Sequence, residues 1–247
     1  MKRIYILIIT IFIVSASFAQ TLQSAAEAYS KENYNEAVQI YEALSDSVGV
    51  SPELYYNLGN SYYKLKNYPK AVLNYERAIL LSPGDEDIKV NLDMARANIV
   101  DKIDVIDRSF ISVWFESIRN MASSNTWAIL AIISFILFLI GIFLYIFNKQ
   151  VLLKKIGFFG GVICLIFSVY TNVVSYKQKQ KILIRDSAII MSPSVTIKSS
   201  PSQSGTDLFI LHEGTKVKII DEVGEWYEVK IDDGNSGWIK DSEMEII

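Results

Sequence analysis

Two residue types that carry much of enzyme chemistry are nearly missing, with one cysteine, Cys164, and one histidine, His212, among 247 residues. A single thiol excludes an intrachain disulfide, so any exported part must hold together by packing alone. It also excludes the Cys/His clusters of a structural zinc site. Cys164 lies inside an uncharged run and His212 in a β-rich segment, so no thiolate–imidazole pair is expected. No glycine-rich phosphate loop and no nucleophile elbow occur. The net charge of −3 is too small and too dispersed for a nucleic-acid footprint. These absences point away from an enzyme and from any cofactor or metal; a cell-wall hydrolase is the competing class they weigh against.

The hydrophobic residues, 51% of the chain, are concentrated in three blocks near 4–18, 127–147 and 156–176. Lys2 and Arg3 precede the first block, and small residues follow it, so 1–19 reads as a secretory signal peptide, with an uncleaved anchor as the alternative. The blocks at 127–147 and 156–176 contain no charged residue and are each long enough to span a bilayer. Trp127 and Tyr145 stand near the ends of the first, where interfacial aromatics belong. Between them, 148–155 carries Lys149, Lys154 and Lys155 and no acid, the pattern of a short cytoplasmic turn. A basic stalk, 177–186, comes after the second span; its Lys177, Lys179, Lys181 and Arg185 pull against that orientation. An exported start followed by two spans nevertheless returns the C-terminus outside.

Neither span holds an ionisable pathway, so the pair reads as an anchor. Gly157, Gly161, Cys164 and Ser168 make a small-residue stripe that admits a close neighbour, either the first span or another protein. Ahead of the spans, 106–126 alternates Phe110, Val113, Trp114, Phe115, Ile118 and Met121 with Arg108, Ser112, Glu116 and Arg119. That is an amphipathic helix for the membrane interface, the alternative being a helix packed onto the preceding domain.

The chain resembles itself at a shift of 34 residues. Tyr34 meets Tyr68, Ala37 meets Ala71, Tyr41 meets Tyr75 and Glu42 meets Glu76. A period of 34 is the tetratricopeptide spacing, and residues 20–105 then contain about two repeats and a capping helix. Gly59 and Ala71 are small where two helices cross; Tyr55, Leu58, Tyr62, Tyr75 and Ala78 fill the space between them. The resemblance implies a groove, lined by first helices, that binds proteins or peptides. Its positions are Tyr29 in the first repeat, Tyr56, Asn57, Asn60, Tyr63 and Lys64 in the second, and Asn91 in the third, flanked by Leu22, Ala26, Val90 and Met94. Asn57 matches one position of the family's carboxylate clamp, but the clamp's basic residues are absent.

After the stalk the hydrophobic period becomes two, with turns at Glu213-Gly214, Gly224-Glu225 and Asp233-Gly234-Asn235. The run Val195-Thr196-Ile197-Lys198, then Gly224-Glu225-Trp226-Tyr227 and Ser236-Gly237-Trp238-Ile239, resembles bacterial SH3 domains. It sets a domain at 187–247. Trp226 and Trp238 are the candidate ligand residues, for protein or cell-wall peptide; Trp226 reads more as a structural cover over the barrel and Trp238 as the one to line a recognition groove, and the alternative for both is the barrel's own core. Lys198 replaces the family's usual arginine and loses its bidentate geometry.

The expected fold class is a multidomain membrane protein: all-α tetratricopeptide hairpins, two transmembrane helices and a C-terminal all-β SH3-like barrel. In this order the parts resemble the BatE family of the Bacteroides aerotolerance operon. That resemblance implies a scaffold in an inner-membrane complex with other Bat proteins and a link to aerotolerance or stress tolerance. The multi-pass chain would present both soluble domains to the periplasm. A cell-envelope sensor using the barrel is the alternative.

Overall fold

The computed structural model describes residues 21–47, 51–103 and 109–247. The proposed signal peptide lies outside them. The helices are α1 over 21–30, α2 (Tyr34–Ser47), α3 (Pro52–Lys64), α4 (Tyr68–Leu81), α5 (Glu86–Arg96), α6 (Phe110–Arg119), α7 (Ser124–Phe147) and α8 (Val151–Ile184). The strands are β1 (Ser187–Ile190), β2 (Ser194–Lys198), β3 (Asp207–His212), β4 (Lys216–Val223), β5 (Trp226–Lys230), β6 (Ser236–Lys240) and β7 (Met244–Ile246). Two compact units result, one joining α1–α5 to the strands and one holding α6–α8.

In the first unit the repeat is visible in the backbone. Glu32 and Lys66 both take left-handed conformations, with φ of 63° and 60°. The N–H of Asn33 then reaches the Ala28 carbonyl at 2.9 Å, and that of Asn67 the Tyr62 carbonyl at 3.0 Å. One helix-ending turn is thus used twice, 34 residues apart. Side chains cap the next starts: the Ser51 hydroxyl accepts from the Leu54 N–H, and Asp85 from those of Asp87 and Ile88. A β-carbon on Gly59 would lie 2.7 Å from the Tyr75 ring, so glycine is what lets α3 and α4 cross here. Tyr41, Tyr75, Leu54, Leu73 and Ile88 fill the core of the helical array.

The strands form one antiparallel sheet in the order β3-β2-β6-β5-β4-β1-β7. Ile197, Leu211, Val217, Val229 and Ile239 point into its core. β1 is apolar along both faces for a reason. Ala188 and Ile190 enter the barrel core, whereas Ile189 enters the helical core with Met191 and Ile247 beside it. The repeats and the barrel are therefore parts of one packed body.

In the second unit α7 and α8 are long and apolar enough to cross a membrane. Gly141 and Gly157 meet where a β-carbon on either would come within 2.7 Å of the other's carbonyl oxygen. The Ser168 hydroxyl donates to the Ala131 carbonyl at 2.8 Å. Gly157, Gly161 and Ser168 of the small-residue stripe thus pack against α7. Two boundaries differ from the sequence expectation. The stalk at 177–186 is largely the continuation of α8, which ends at Ile184 before a left-handed Arg185. Lys177–Lys181 are good helix formers, and no glycine or proline separates them from the apolar run. At the other end α8 already begins at Val151, so the turn expected over 148–155 narrows to Asn148–Gln150, where the Asn148 side chain accepts the Gln150 N–H.

Candidate functional site

The first helix of each repeat contributes to one polar and aromatic strip. From α3, Asn60 accepts at its amide oxygen from the Tyr75 hydroxyl at 2.7 Å and from the Asn91 amide at 2.9 Å. The same Asn91 amide donates to the Tyr56 hydroxyl at 2.9 Å. Burial, and next the neighbouring tyrosines, push the Tyr75 hydroxyl's pKa up, so it stays a neutral donor. Tyr29 of α1 stacks edge-on against Tyr34 at 5.2 Å. Tyr63 rests in the same way on Tyr68 at 5.6 Å.

The expected groove residues therefore divide in two. Tyr56, Asn60 and Asn91 are tied together and anchor the strip to the core. Among the described residues, the side chains of Asn57 and Lys64 make no hydrogen bond, and Lys64 is exposed. On α5, Val90 and Met94 are 56% and 48% exposed, one helical turn apart. The first helices thus carry both polar side chains without a hydrogen bond among the described residues and exposed apolar ones.

The opposite side of the repeats is occupied. Glu76 on α4, only 3% exposed, is ion-paired with Arg96 on α5 and with Lys216 on β4, the latter at 2.7 Å. Burial alone would raise its pKa, but Lys216 and then Arg96 outweigh that and hold the carboxyl below the ordinary range. Arg77 donates to the Glu245 carboxylate at 3.0 Å and to the Ile246 carbonyl at 2.6 Å. At the end of the helical array, Asp101 accepts from the His212 N–H and from the Thr215 hydroxyl, each at 2.7 Å. The other Asp101 oxygen lies 2.8 Å from His212 Nδ1. Gly214 completes this joint: with φ at +87° and Ile99 Cδ1 2.1 Å from a would-be β-carbon, only glycine fits.

No sequence pattern announces this joint. His212 is a docking residue, and the Thr215 hydroxyl bonds to the carboxylate rather than to the imidazole. One trace exists for the buried acid. Glu42 pairs with Tyr62, and a shift of 34 converts that pair into Glu76 and Arg96. Lys216 has no such trace.

On the barrel, Trp226 lines a cleft of about 360 Å³ with Thr196, Lys198, Gln203, Lys240 and Glu243. Lys240 lies over its indole ring at 5.7 Å. Trp238 is not among the lining residues; it sits between Lys198 and Glu228 on the neighbouring strands. Lys198 is ion-paired with Asp207.

Comparison with known families agrees with this division. The tetratricopeptide repeat family model matches residues 52–85, and the bacterial SH3 domain model matches residues 193–245. No curated protein matches the chain. Both modules are typically non-catalytic and indicate protein or peptide binding. The chain combines a helical region holding a tetratricopeptide repeat, two apolar helices and an antiparallel sheet matching the bacterial SH3 domain.

Proposed function

We propose that the chain is a membrane-anchored adaptor, without catalytic activity, that gathers partner proteins on the first-helix groove of its repeats. The observation that carries this is the asymmetry of the array. The barrel covers α4 through Ile189, Met191, Ile247 and the Glu76–Lys216 pair, whereas Asn57, Lys64, Val90 and Met94 remain available on the other side. The barrel also supplies neighbours to an array too short to bury its apolar faces well by itself.

Docking bears on topology. Residues before α7 and after α8 hydrogen-bond to one another through Asp101 and His212, which supports a topology with both flanks of the hairpin in one compartment. An exported start makes that compartment the periplasm, with Asn148–Gln150 as the cytoplasmic turn of an inner-membrane hairpin. The resemblance to the BatE family gives the partner class, namely other Bat membrane proteins, and the connection to aerotolerance or stress tolerance.

A second reading, a sensor of cell-wall peptide, is favoured by the cleft beside Trp226 with its two lysines. Co-purification from detergent extract separates the two. Asn57→Ala with Lys64→Ala removes groove side chains that make no hydrogen bond among the described residues, so the fold should be retained. Partner proteins should be lost from this variant and kept by Lys240→Ala. Unchanged partners in the groove variant, with loss of wall-peptide binding in Lys240→Ala, would favour the sensor.

A further inference from the structure

α6 carries Phe110, Ile111, Trp114, Phe115 and Ile118 along one arc and Ser112, Glu116 and Arg119 along the other. No residue of this helix is buried, and Phe110 is 82% exposed. Its polar arc is already engaged. Glu116 accepts from Arg119 at 3.0 Å and from Lys181 of α8 at 3.2 Å. The Arg119 carbonyl accepts from the indole N–H of Trp127, one turn inside α7, at 3.1 Å. α6 is thereby fastened to one end of the helical pair, with its aromatic arc open.

That end is where the pair would leave a bilayer. The Ser175 hydroxyl donates to the Ser124 carbonyl at 2.8 Å, so the start of α7 lies beside Ser175. The rest of α8 continues past it by about 14 Å at the helical rise of 1.5 Å per residue. This projecting segment exposes Lys177 and Lys179, and no acidic residue occurs between Lys149 and Ile184. Helical side chains tilt toward the N-terminus, which here brings the lysine amines back toward the membrane.

We propose that α6 and the projecting end of α8 form a shelf seated in the headgroup layer, the α6 arc against acyl chains and the exposed cations against anionic headgroups. This rests on α7 and α8 crossing the bilayer, and it commits to lipid as the occupant because the arc is continuous with the apolar faces of those helices and flanked by the exposed Lys177 and Lys179. It also accounts for a basic cluster on the side that the parity of the spans makes external. The cluster answers to lipid phosphate rather than to the positive-inside rule.

The test uses the full chain in lipid nanodiscs, with Cys164→Ser leaving an introduced cysteine as the sole thiol. An environment-sensitive fluorophore at Ile111→Cys should emit at blue-shifted wavelength and lose most of its emission when the acyl chains are brominated. The same probe at Ser112→Cys, on the polar arc, should stay unquenched, and quenching at Ile111→Cys should grow when neutral lipid is replaced by anionic lipid. A blue-shifted probe that bromine does not quench would mean that a second copy or another protein covers the arc, and would overturn the proposal. So would solvent-like emission at both positions, or quenching indifferent to lipid charge. Alkaline carbonate extraction keeps the outcomes apart: a chain released from membranes refutes the spans themselves, and a retained chain with an unquenched probe refutes only the shelf.

Discussion

Glu76 shows how much one side chain can decide. Its carboxylate is buried between a repeat helix and a barrel strand and is supported from both by Arg96 and Lys216. Breaking such a pair by removing one partner leaves the other charge stranded, so the arrangement makes the docked state specific. Asp101 plays the same part at the end of the array. Burial would raise its pKa, but the hydrogen bonds from His212 and Thr215 prevail and lower it. Both folded-state pKa values thus lie below those of the unfolded chain. Their contribution to stability is complete above the ordinary carboxylate range, near pH 4, and disappears as the pH falls through the depressed folded values. The urea midpoint of the full chain in detergent should therefore drop as the pH falls below about 4. Glu76→Gln should lower the midpoint at neutral pH and flatten that dependence; an identical acid slope in the variant would show that Glu76 does not couple to folding.

At the scale of elements, the 34-residue period is the most informative feature of the sequence. It places α3 and α4, the crossing at Gly59 and the turn at Asn67, because each repeat must bury the same face against the next. The two long apolar helices are equally legible, since their length and absence of charge stand out from the rest of the chain. Helix ends are less so. The apolar run stops at Tyr176 but α8 does not, because lysine and glutamine extend a helix as readily as they begin a stalk. Groove residues are legible as positions but not as roles, because a period cannot say that Asn60 and Asn91 bond to each other. The sequence reading favours Trp238 for a recognition groove and Trp226 for a structural cover, and the strands reverse this, because Trp226 borders the cleft and Trp238 does not. The Gly59 crossing yields a direct expectation. Gly59→Ala must displace the buried Tyr75 ring and its bond to Asn60, destabilising the repeats by about 1–3 kcal/mol. Thermal unfolding followed by helical circular dichroism measures this, and an unchanged melting temperature would mean that α3 and α4 do not cross so closely.

For the whole molecule, the decisive pairings are those between segments far apart in sequence. Asp101 with His212, Glu76 with Lys216 and Arg77 with Glu245 join the parts of the chain that lie before and after the helical pair. No local pattern announces such contacts, which is why the two modules read as independent in the sequence. Their union leaves the repeats with one face closed by the barrel, and the helical pair between these parts of the chain is long and apolar enough to cross a membrane. It also means that removing residues 187–247 would uncover Ile189's site in the helical core, so a truncated chain reports on stability as well as on binding. The most direct measurement of this union is labelling by a membrane-impermeant thiol reagent in a Cys164→Ser background. Cysteines would replace Glu53 in α3 and Asp233 in the β5–β6 turn, one at a time. In sealed vesicles of a single orientation both should label to the same extent, and both should be protected when the orientation is reversed. Labelling of one with protection of the other would put the repeats and the barrel on opposite sides of the membrane and contradict the account.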